Sequence, residues 1–471
     1  MFASFGRLHA DVLAPLGFVL AMFVTVHVLL NKRDVAAAMG WIGLAWFSPF
    51  LGGFTYFVLG INRVQRRARR LRGRRLRRAG RGPWPAPNED DHLGPLERAV
   101  GRLTARALDD GNAFDIFHDG DEAYPVMLDV IAQARTSIGL SSYIMRADHW
   151  GGRFLDALAA AQGRGVAVRV IIDGVGGGWV WSGAYHRLRQ MGVPVGQFMH
   201  SPLPWRMPFL NLRTHKKILV VDGRTGFTGG MNIADENVLA SCPPAPVRDT
   251  HFRVRGPVVE QLTEAFARDW AFVMEEELDG ETWFPALDPA GDATARVITS
   301  GPDDDVEKVE FAVLQAIACA RSSIQLMTPY FLPDDRLMTA LSMAAMRGVA
   351  VEIVLPQRSD HRMVDWATYA NIGPLLKDGG RVWLCPPPFR HSKTMVVDGE
   401  WCLIGSSNWD MRSLRLNFEL CMEVYDRTLA AALQQLMERS RGAKLTEERL
   451  DARSLPVRLR DAGVRLMLPY L

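Results

Sequence analysis

The hydrophobic positions of this chain follow two different patterns, and the first is a pair of long apolar runs. Residues 12–30 and 35–61 carry no formal charge, and only Asn31–Asp34 separate them. Each run meets the roughly 18–20 residues that a helix needs to cross about 30 Å of hydrocarbon. Two buried core helices are the alternative, but adjacent uncharged runs of this length are uncommon in soluble domains. The pattern therefore predicts a transmembrane helix hairpin over residues 1–62.

The second pattern is a repeat of short, strand-like apolar runs on either side of a helical stretch. Each copy reads strand, helix, Arg-Gly pair, strand, and its apolar runs are rich in β-branched residues. The runs of the two copies are Ser137–Met145 with Val166–Asp173, and Ser323–Phe331 with Val349–Pro356. This order is typical of right-handed βαβ units on a mainly parallel sheet with both faces covered.

The spacing of the two copies sets the predicted domain organisation. The repeat exceeds 150 residues, which is far longer than the period of a solenoid. We therefore expect an α/β fold with two duplicated lobes, residues 96–285 and 286–471. Residues 63–95 lie between the hairpin and the lobes, and residues 82–95 have the proline, glycine and acidic content of a linker.

Composition and charge narrow the class of protein. With 48% hydrophobic and 23% charged residues, the chain is not a disordered tail, a collagen-like repeat or a disulfide scaffold. The net charge of +3 conceals eleven arginines between Arg63 and Arg81, a stretch without acids. Alone, such a run binds nucleic acid or stays solvated. Beside an apolar hairpin, the positive-inside rule places it, and hence the lobes, in the cytoplasm, where it can lie on anionic headgroups.

The cysteines do not indicate a metal site or a disulfide framework. There are five, an odd number, and they are widely scattered without the CxxC spacing of a zinc site. We expect reduced thiols and no bound metal.

The candidate chemistry lies in a histidine–lysine–aspartate pattern that occurs twice. The two copies are His215-x-Lys217-x4-Asp222 and His391-x-Lys393-x4-Asp398. Because the chain has only seven lysines, simple counting gives a chance expectation of roughly 0.01 for one such match. Two matches are not an accident, and they indicate that the duplicated fold has duplicated its site.

The residues after each histidine agree as well. Gly229-Gly230 and Gly405-Ser406 lie 14 and 15 positions after their histidines, and Asn232 and Asn408 lie 17 positions after them. Each motif reads as two short strands around an Asp-Gly turn. Alternation along the first strand would place His215 and Lys217 on one face.

These residue types suit displacement at a phosphodiester. A lysine ammonium binds phosphate as a point charge, and a histidine near neutral pH acts as a nucleophile or as an acid and base. Small residues such as Gly230 and Ser406 would let a phosphate approach backbone amides. No metal or other cofactor is needed, since the lysines neutralise the developing charge.

The sequence resembles the phospholipase D superfamily, whose signature is this paired motif, and within it the bacterial cardiolipin synthases. The resemblance covers nearly the whole chain, including the two-helix anchor, SSYIMRAD, TPYFLPDD, THKKILVVDGRTGFTGGMNI, RDTHFRVRGP, HSKTMVVDGEWCLIGSSNWDMRS and the tail LMLPYL. It implies two phospholipase D-type lobes, each a sheet flanked by helices, related by a pseudo-two-fold axis.

The resemblance also implies roles for the motif residues. His215 would form a covalent phosphohistidine while His391 acts as acid and base, although the near-symmetric copies leave the order of these roles open. Lys217, Lys393, Asn232 and Asn408 would hold the non-bridging oxygens, with Gly230 and Ser406 also lining the substrate site. Asp249 and Glu419 would orient the imidazoles. Asp222 and Asp398 complete the catalytic motifs, unless they brace the surrounding turns.

Several other residues have two interpretations each. His200, His251 and His361 lack a lysine partner and are typical of satisfied polar residues rather than catalysts. Tyr143 and Tyr330 occupy equivalent places in the repeats, where they line the cleft or pack at a strand end. The apolar run 202–212 dips into the bilayer or packs as an ordinary loop.

The predicted function is a membrane-bound phosphatidyltransferase that joins two phosphatidylglycerols into cardiolipin and glycerol. A lipid hydrolase, or a transferase with another lipid or alcohol acceptor, would use the same residues. A nuclease would use the arginine run as its electrostatic footprint, but the anchor counts against it, and no nucleic acid partner is expected. Phosphatidylglycerol, other anionic phospholipids and the bilayer are the expected partners. The expected location is the bacterial inner membrane, multi-pass, with the catalytic domain cytoplasmic; the oligomeric state is open.

Overall fold

The structure, a computed structural model, describes residues 2–32, 35–60, 92–200, 212–302 and 305–466. Its contacts divide the chain into two units, Met1–Arg70 and Leu71–Leu471. Three sequence features lie wholly or mostly outside the described residues: the arginine run at 63–81, the linker as far as residue 91, and residues 202–211 of the apolar run before the first motif.

The first apolar run forms one continuous helix, α1 (Phe2–Asn31). Its segment Leu13–Asn31, with a mean hydropathy of 2.3, is long and apolar enough to cross a membrane. No other helix in the described part of the chain meets both criteria. The predicted membrane-spanning character is therefore supported for the first run.

The second apolar run departs from an uninterrupted spanning helix. It forms α2 (Val35–Phe47), α3 (Pro49–Thr55) and a π-helical turn (Tyr56–Gly60). The interruption falls at Ser48, because the ring of Pro49 disfavours helical geometry in the residue before it. The helices still pack on each other, as a hairpin requires, through the buried side chains of Ala21, Val24, Val28, Ala45 and Tyr56.

The second unit contains two successive sets of strands and helices. The first set comprises α4 (Gly94–Thr104), β1 (Asp109–His118), α5 (Asp119–Gln133), β2 (Ser137–Ser142), α6 (His149–Gly163), β3 (Ala167–Asp173), α7 (Gly183–Gln190), β4 (Val195–Phe198), β5 (Ile218–Val221), β6 (Thr225–Gly229), β7 (Val247–Arg248), β8 (Thr250–Arg255) and α8 (Val258–Met274). Two short 3₁₀ turns, Asp235–Asn237 and Leu239–Ser241, lie between β6 and β7.

The second set repeats the main elements of this order, with short additional elements within it and at its end. It comprises β9 (Ala293–Ser300), α9 (Lys308–Cys319), β10 (Ser323–Met327), β11 (Phe331–Leu332), α10 (Asp335–Met346), β12 (Ala350–Pro356), α11 (Arg362–Asn371), α12 (Gly373–Lys377), β13 (Arg381–Cys385), β14 (Phe389–Arg390), β15 (Thr394–Val397), β16 (Trp401–Gly405), β17 (Trp409–Asp410), α13 (Met411–Arg415), β18 (Glu419–Tyr425), α14 (Arg427–Arg439), β19 (Ala443–Leu445), α15 (Glu447–Asp451) and α16 (Leu455–Arg465).

One 15-stranded sheet joins the two sets, in the order β19-β13-β12-β10-β15-β16-β18-β9-β1-β8-β6-β5-β2-β3-β4. Read outward from the β1–β9 pair, the two halves list equivalent strands in the same sequence, and β19 is the single addition. The predicted duplication and pseudo-two-fold arrangement are therefore confirmed. The lobe limits at 95/96 and 285/286 stay predictions, although the buried Leu96 and Val100 of α4 belong to the core of the second half.

The expectation of a mainly parallel sheet is wrong. Strands β2, β3 and β4 pair in parallel, as do β10, β12 and β13, which matches the predicted βαβ units. All other pairs in this sheet are antiparallel. The reason is that each motif continues as a tight hairpin, with Asp222-Gly223 and Asp398-Gly399 all at positive φ, and a hairpin pairs its strands in antiparallel fashion.

Local sequence explains where the equivalent helices α6 and α10 begin and end. The side chains of Asp148 and Asp334 cap their first turns by accepting hydrogen bonds from the amides of Gly151 and Leu337. At the other ends, Gly165 and Gly348 adopt φ of +89° and +91°, which glycine allows without strain. The two Arg-Gly pairs seen in the sequence are thus helix stops.

Candidate active site

The two motif histidines face each other across one cavity. The ring centroids of His215 and His391 are 6.5 Å apart, with the rings nearly perpendicular at 83°. Both rings line a cavity of about 560 Å³ whose walls come from both halves of the sheet. The spacing leaves room for one tetrahedral group between the two imidazoles.

Each histidine is held in place by the backbone of the other half. The amide of His215 donates to the carbonyl of Phe418 at 2.8 Å, and that of His391 donates to the carbonyl of Arg248 at 2.7 Å. The expectation that His215 and Lys217 lie within a strand is wrong, because β5 begins at Ile218. These cross-connections extend the chain away from the sheet and carry both histidines into the cavity.

The two orienting acids are exchanged between the halves. Glu419 Oε2 lies 3.0 Å from His215 Nδ1, which is also 3.0 Å from the carbonyl oxygen of Ser406. Asp249 Oδ2 lies 2.8 Å from His391 Nδ1. Two acceptors at Nδ1 of His215, and a carboxylate at Nδ1 of His391, favour the tautomers that leave Nε2 with a lone pair. An intact site therefore requires both halves of the duplication.

The environment lowers the pKa values of both imidazoles. Burial, followed by the charges of Lys217 and Lys393, lowers the pKa of His215 well below its usual value. Burial and Lys393 lower the pKa of His391 as well, against the opposing charge of Asp249. A neutral imidazole has the lone pair needed to attack phosphorus or to accept a proton.

The two carboxylates differ in charge. Burial alone would raise the pKa of Asp249, but the charge of His391 and their hydrogen bond outweigh it and lower that pKa to about 2. Burial raises the pKa of Glu419 to about 7, against the opposing charge of Lys217. Asp249 is thus fully ionised at neutral pH, whereas Glu419 is not.

The motif lysines are buried beside the histidines. Lys217 Nζ donates to the carbonyl of His215 at 2.7 Å, and Lys393 Nζ lies 3.0 Å from His391 Nε2. Burial and the mutual repulsion of the ammonium groups lower the pKa of Lys217 to about 7. Burial lowers the pKa of Lys393 to about 8, opposed by nearby carboxylates. An anion in the cavity would relieve this repulsion.

Both predicted asparagines line the cavity. The side-chain oxygen of Asn232 accepts from the amide of Ile144 at 3.2 Å, which orients the side chain. The side-chain oxygen of Asn408 is buried and has no hydrogen-bond partner among the described residues. The structure therefore brings His215, His391, Asn232 and Asn408 together, as the motif spacing predicts.

Gly230 and Ser406 do not offer free amides to a substrate, in contrast to the prediction. The amide of Gly230 donates to Thr250 O at 3.2 Å, and that of Ser406 donates to Leu420 O at 2.9 Å. Instead, both residues serve the orienting acids. The Ser406 hydroxyl donates to Glu419 at 2.5 Å, and a Cβ on Gly230 would lie 2.3 Å from an oxygen of Asp249.

Asp222 and Asp398 lie outside the cavity, which corrects their grouping with the catalytic residues. Their carboxylates accept hydrogen bonds from three consecutive backbone amides each, at residues 135–137 and 321–323. The Nε2 atom of His92 is also 2.8 Å from Asp398. The alternative that these acids brace turns is the one that the geometry supports.

Three of the remaining candidate residues line the cavity. Tyr143 and Tyr330 both line the cavity, with ring centroids 5.1 Å and 6.3 Å from those of His215 and His391. His361 also lines it. The five cysteines are free thiols, and no group of three or more His, Cys, Asp or Glu residues in the described segments is placed to hold a metal ion.

Sequence reasoning missed several polar residues of the site. Arg213, Arg412 and Asp410 line the cavity, and a carboxylate oxygen of Asp173 accepts from the amide of Thr214 at 2.8 Å, next to His215. Two signals pointed to them. Asp173 ends a parallel strand, where functional groups gather, and Arg213 lies two residues before the first motif histidine.

Comparison with known proteins identifies the family to which this chain is similar. The family profile described as "Cardiolipin synthase, PLD-like domain" matches residues 127–270 and 313–441. The chain is 32% identical to the major cardiolipin synthase ClsA of Bacillus subtilis, over 98% of this chain and 99% of that protein. It is 31% identical to a cardiolipin synthase of Oceanobacillus iheyensis, over the same shares of the two chains.

The fold has a counterpart among solved structures. A phosphatidylserine synthase of Haemophilus influenzae superposes with a TM-score of 0.61 at 15% identity, covering 80% of this chain and all of that one. At this identity the likeness concerns the fold alone. The profile match and the full-length similarities, together with the paired motif, carry the assignment: the chain belongs to the phospholipase D-like family of cardiolipin synthases.

Proposed function

We propose that this protein is a membrane-bound phosphatidyltransferase that condenses two phosphatidylglycerols into cardiolipin and releases glycerol. The observation that carries the proposal is the pair of buried imidazoles 6.5 Å apart, each bound at Nδ1 by a carboxylate from the opposite half. The cardiolipin synthases to which the chain is similar along nearly its whole length support the same substrate class.

In the first step, a phosphatidylglycerol places its phosphorus between the two rings. Nε2 of His215 attacks phosphorus and forms a P–N bond, and the P–O bond to the headgroup glycerol breaks. As the anionic phosphodiester binds, His391 takes up a proton from solvent, because the phosphate and the ionised Asp249 favour the imidazolium. The departing oxygen takes this proton from His391, so that glycerol leaves as a neutral alcohol. Lys217 and Lys393, which are buried beside the histidines, would neutralise the charge that builds on the non-bridging oxygens.

In the second step, a hydroxyl of another phosphatidylglycerol attacks the phosphohistidine. His391, now neutral, accepts the hydroxyl proton while the P–N bond breaks and the new P–O bond forms. His215 is then free of phosphorus and His391 is protonated again, and the net products are cardiolipin and glycerol. The mechanism requires the acceptor alcohol to outcompete water, which a high local lipid concentration at a membrane surface favours.

The difference between the two carboxylates supports this division of roles. The acid must carry a proton during the cycle, and the ionised Asp249 stabilises protonated His391. Glu419, whose pKa is raised to about 7, gives the ring of His215 less negative charge. His215 is thereby suited to attack as a neutral nucleophile.

The membrane topology and surroundings form part of the proposal. We place both apolar runs in a bacterial inner membrane as a multi-pass anchor, with the arginines between residues 63 and 81 and the catalytic unit on the cytoplasmic side. Phosphatidylglycerol and other anionic phospholipids are then the partners, at about 1 kcal/mol of attraction per basic residue near the surface. The apolar helix α1 supports the anchor.

Product analysis tests the proposed function. Purified full-length protein in detergent, given phosphatidylglycerol labelled in its headgroup and in its acyl chains, should release free glycerol and form cardiolipin. The His215→Ala and His391→Ala variants should both lose this activity while keeping the wild-type melting temperature. Phosphatidic acid as the sole lipid product would support the hydrolase alternative instead.

A second assay distinguishes the lipid donor. Equal amounts of phosphatidylglycerol and phosphatidylethanolamine, separately labelled, should give cardiolipin that draws its phosphatidyl group from phosphatidylglycerol. Equal labelling from both donors would contradict the assignment of phosphatidylglycerol as the preferred donor.

A further inference from the structure

The pseudo-two-fold symmetry of the site is broken by charge at equivalent positions. Four residues after Asn232 stands Glu236, and four residues after Asn408 stands Arg412; all four line the cavity. One end of the cavity thus presents a carboxylate where the other end presents a guanidinium.

The hydrogen-bond partners of the equivalent residues Tyr143 and Tyr330 differ in charge as well. The hydroxyl oxygen of Tyr143 accepts a hydrogen bond from Arg213 Nη1 at 2.7 Å. The hydroxyl of Tyr330 donates to Asp360 Oδ1 at the same distance. Arg213 and Arg412 together supply the guanidinium groups of one end, with Asp173 and Asp410 close to Arg412, whereas Glu236 and Asp360 lie at the other end.

The cationic end has unsatisfied hydrogen-bond capacity. Nε of Arg213 and both Nε and Nη2 of Arg412 are buried without a hydrogen-bond partner in the described residues. The nearby Asp173 is already engaged by the backbone amides of Val175, Gly176 and Thr214. A buried charged donor without a partner is costly, so this end is incomplete without an anion.

The electrostatics of Arg412 point the same way. Burial, followed by the like charge of Arg213, lowers the pKa of its guanidinium. An anion between the two side chains would reverse both effects, because it supplies hydrogen-bond acceptors and cancels the repulsion. Guanidinium groups bind phosphate oxygens in a planar, bidentate geometry, which distinguishes this end from the lysine point charges beside the histidines.

We propose that Arg213 and Arg412 form a second phosphate subsite. This subsite holds the phosphodiester of the acceptor lipid while the headgroup hydroxyl of that lipid attacks the phosphorus bound to His215. This inference rests on the proposed function, because it names where the second phospholipid binds. The reacting phosphorus lies between the histidines, and the acceptor's own phosphate needs a separate site.

The position of the arginines fits the length of the acceptor. Arg213 precedes His215 by two residues, so that the two Cα atoms are roughly 7 Å apart in an extended chain. In cardiolipin a single three-carbon glycerol joins the two phosphates. A phosphate held at about that separation from the reacting phosphorus would match the single glycerol that joins the two phosphates of cardiolipin.

Acceptor selectivity tests the subsite. The probes are phosphatidylglycerol, glycerol phosphate and glycerol, each offered as acceptor with labelled phosphatidylglycerol as donor and the full-length protein in detergent. Glycerol phosphate and glycerol differ only in the phosphate. For Arg412→Gln, we expect kcat/KM for the two phosphate-bearing acceptors to fall at least about tenfold more than for glycerol, as the loss of a hydrogen bond to a charged group predicts. Arg412→Lys keeps the charge but not the fork, and should recover part of the loss.

Arg362→Gln is the matched control. Arg362 also lines the cavity, but its side chain is exposed, so removing its charge should change the acceptor ratio by less than about twofold. Transfer to glycerol reports the folded, catalytically competent fraction of every variant.

Three results would overturn the subsite. They are an unchanged ratio between the acceptors, whether or not all three rates fall, a loss restricted to the lipid acceptor, and an equal loss in Arg362→Gln. A wild-type protein that makes no cardiolipin would refute the proposed function. The comparison of glycerol phosphate with glycerol would still decide whether a phosphate subsite exists.

Discussion

Replacing Asp249 by asparagine isolates the contribution of the ionised carboxylate to His391. The amide keeps the size of the side chain but removes its charge. In the structure, His391 and neighbouring groups hold the pKa of Asp249 at about 2, below its ordinary value of 3.8. A difference of this size corresponds to roughly 2–3 kcal/mol of interaction. Since Asp249 supports the protonated form of His391 that acts as the acid, the loss should fall on kcat.

We therefore expect Asp249→Asn to lower kcat for cardiolipin formation by about 30- to 100-fold, with the KM for phosphatidylglycerol changed less than about threefold. The assay is initial-rate cardiolipin formation in mixed micelles from pH 5.5 to 9, with the melting temperature measured in parallel. Glu419→Gln is the matched comparison at the equivalent position. Its effect on kcat should be smaller, because burial raises the pKa of Glu419 to about 7 and leaves the group partly protonated at neutral pH.

Two outcomes would refute this reasoning. A loss below about threefold in Asp249→Asn would show that the charge of Asp249 does not support proton transfer. A larger loss in Glu419→Gln than in Asp249→Asn would reverse the assignment of acid and nucleophile. A parallel collapse of the melting temperature would identify a structural role instead.

Three further predictions concern the surroundings of the histidines. Lys217→Met should abolish transfer yet stabilise the protein by about 1–4 kcal/mol, as replacing a buried charge by an apolar side chain does. Because the pKa of Lys217 is about 7 in the folded protein and 10.5 in the unfolded chain, the free energy of unfolding of the wild type should rise from pH 7 toward 10.5. Denaturant titrations at several pH values should show a weaker rise of this free energy with pH in the variant. Gly230→Ala places a Cβ 2.3 Å from a carboxylate oxygen of Asp249 and should lower kcat at least about tenfold, whereas the same change at Gly399, whose Cβ would meet nothing closer than 3.8 Å, costs stability through its positive φ alone. Asp398→Asn should lower the free energy of unfolding by about 1–3 kcal/mol, with activity falling only as the folded fraction falls; a loss of kcat in fully folded protein would return Asp398 to the catalytic group.

Much of the site follows from the sequence because both motifs are local. A histidine, a lysine and an asparagine at fixed spacing, repeated in a duplicated fold, were enough to predict that the two copies meet. The Asp-Gly pairs at 222–223 and 398–399 predicted the hairpins because few residues adopt positive φ readily. The helix stops at Gly165 and Gly348 were equally visible.

The rest depends on contacts between distant segments. The exchange of Asp249 and Glu419 between the halves arises because β1 and β9 pair with each other and join both halves in one sheet, and chain order does not reveal which acid faces which histidine. Gly230 and Ser406 are small because they pack against Asp249 and Glu419, not because a phosphate approaches them. The spacing of the motif does not reveal which of these two reasons applies. The antiparallel pairing of most strands was not predicted, because the parallel pairing of the βαβ units was assumed for neighbouring strands that form hairpins instead.

The most direct test of the central claim, that both imidazoles act on one phosphorus, uses a donor with a p-nitrophenol headgroup. This leaving group departs without a proton, so the first step no longer needs the acid. His391→Ala should release one equivalent of nitrophenolate per protein in a burst, stop there, and yield a phosphatidyl adduct on His215 by mass spectrometry of protein quenched in alkaline denaturant, which preserves the P–N bond. A burst in His215→Ala with the adduct on His391, or full turnover in either variant, would contradict the account.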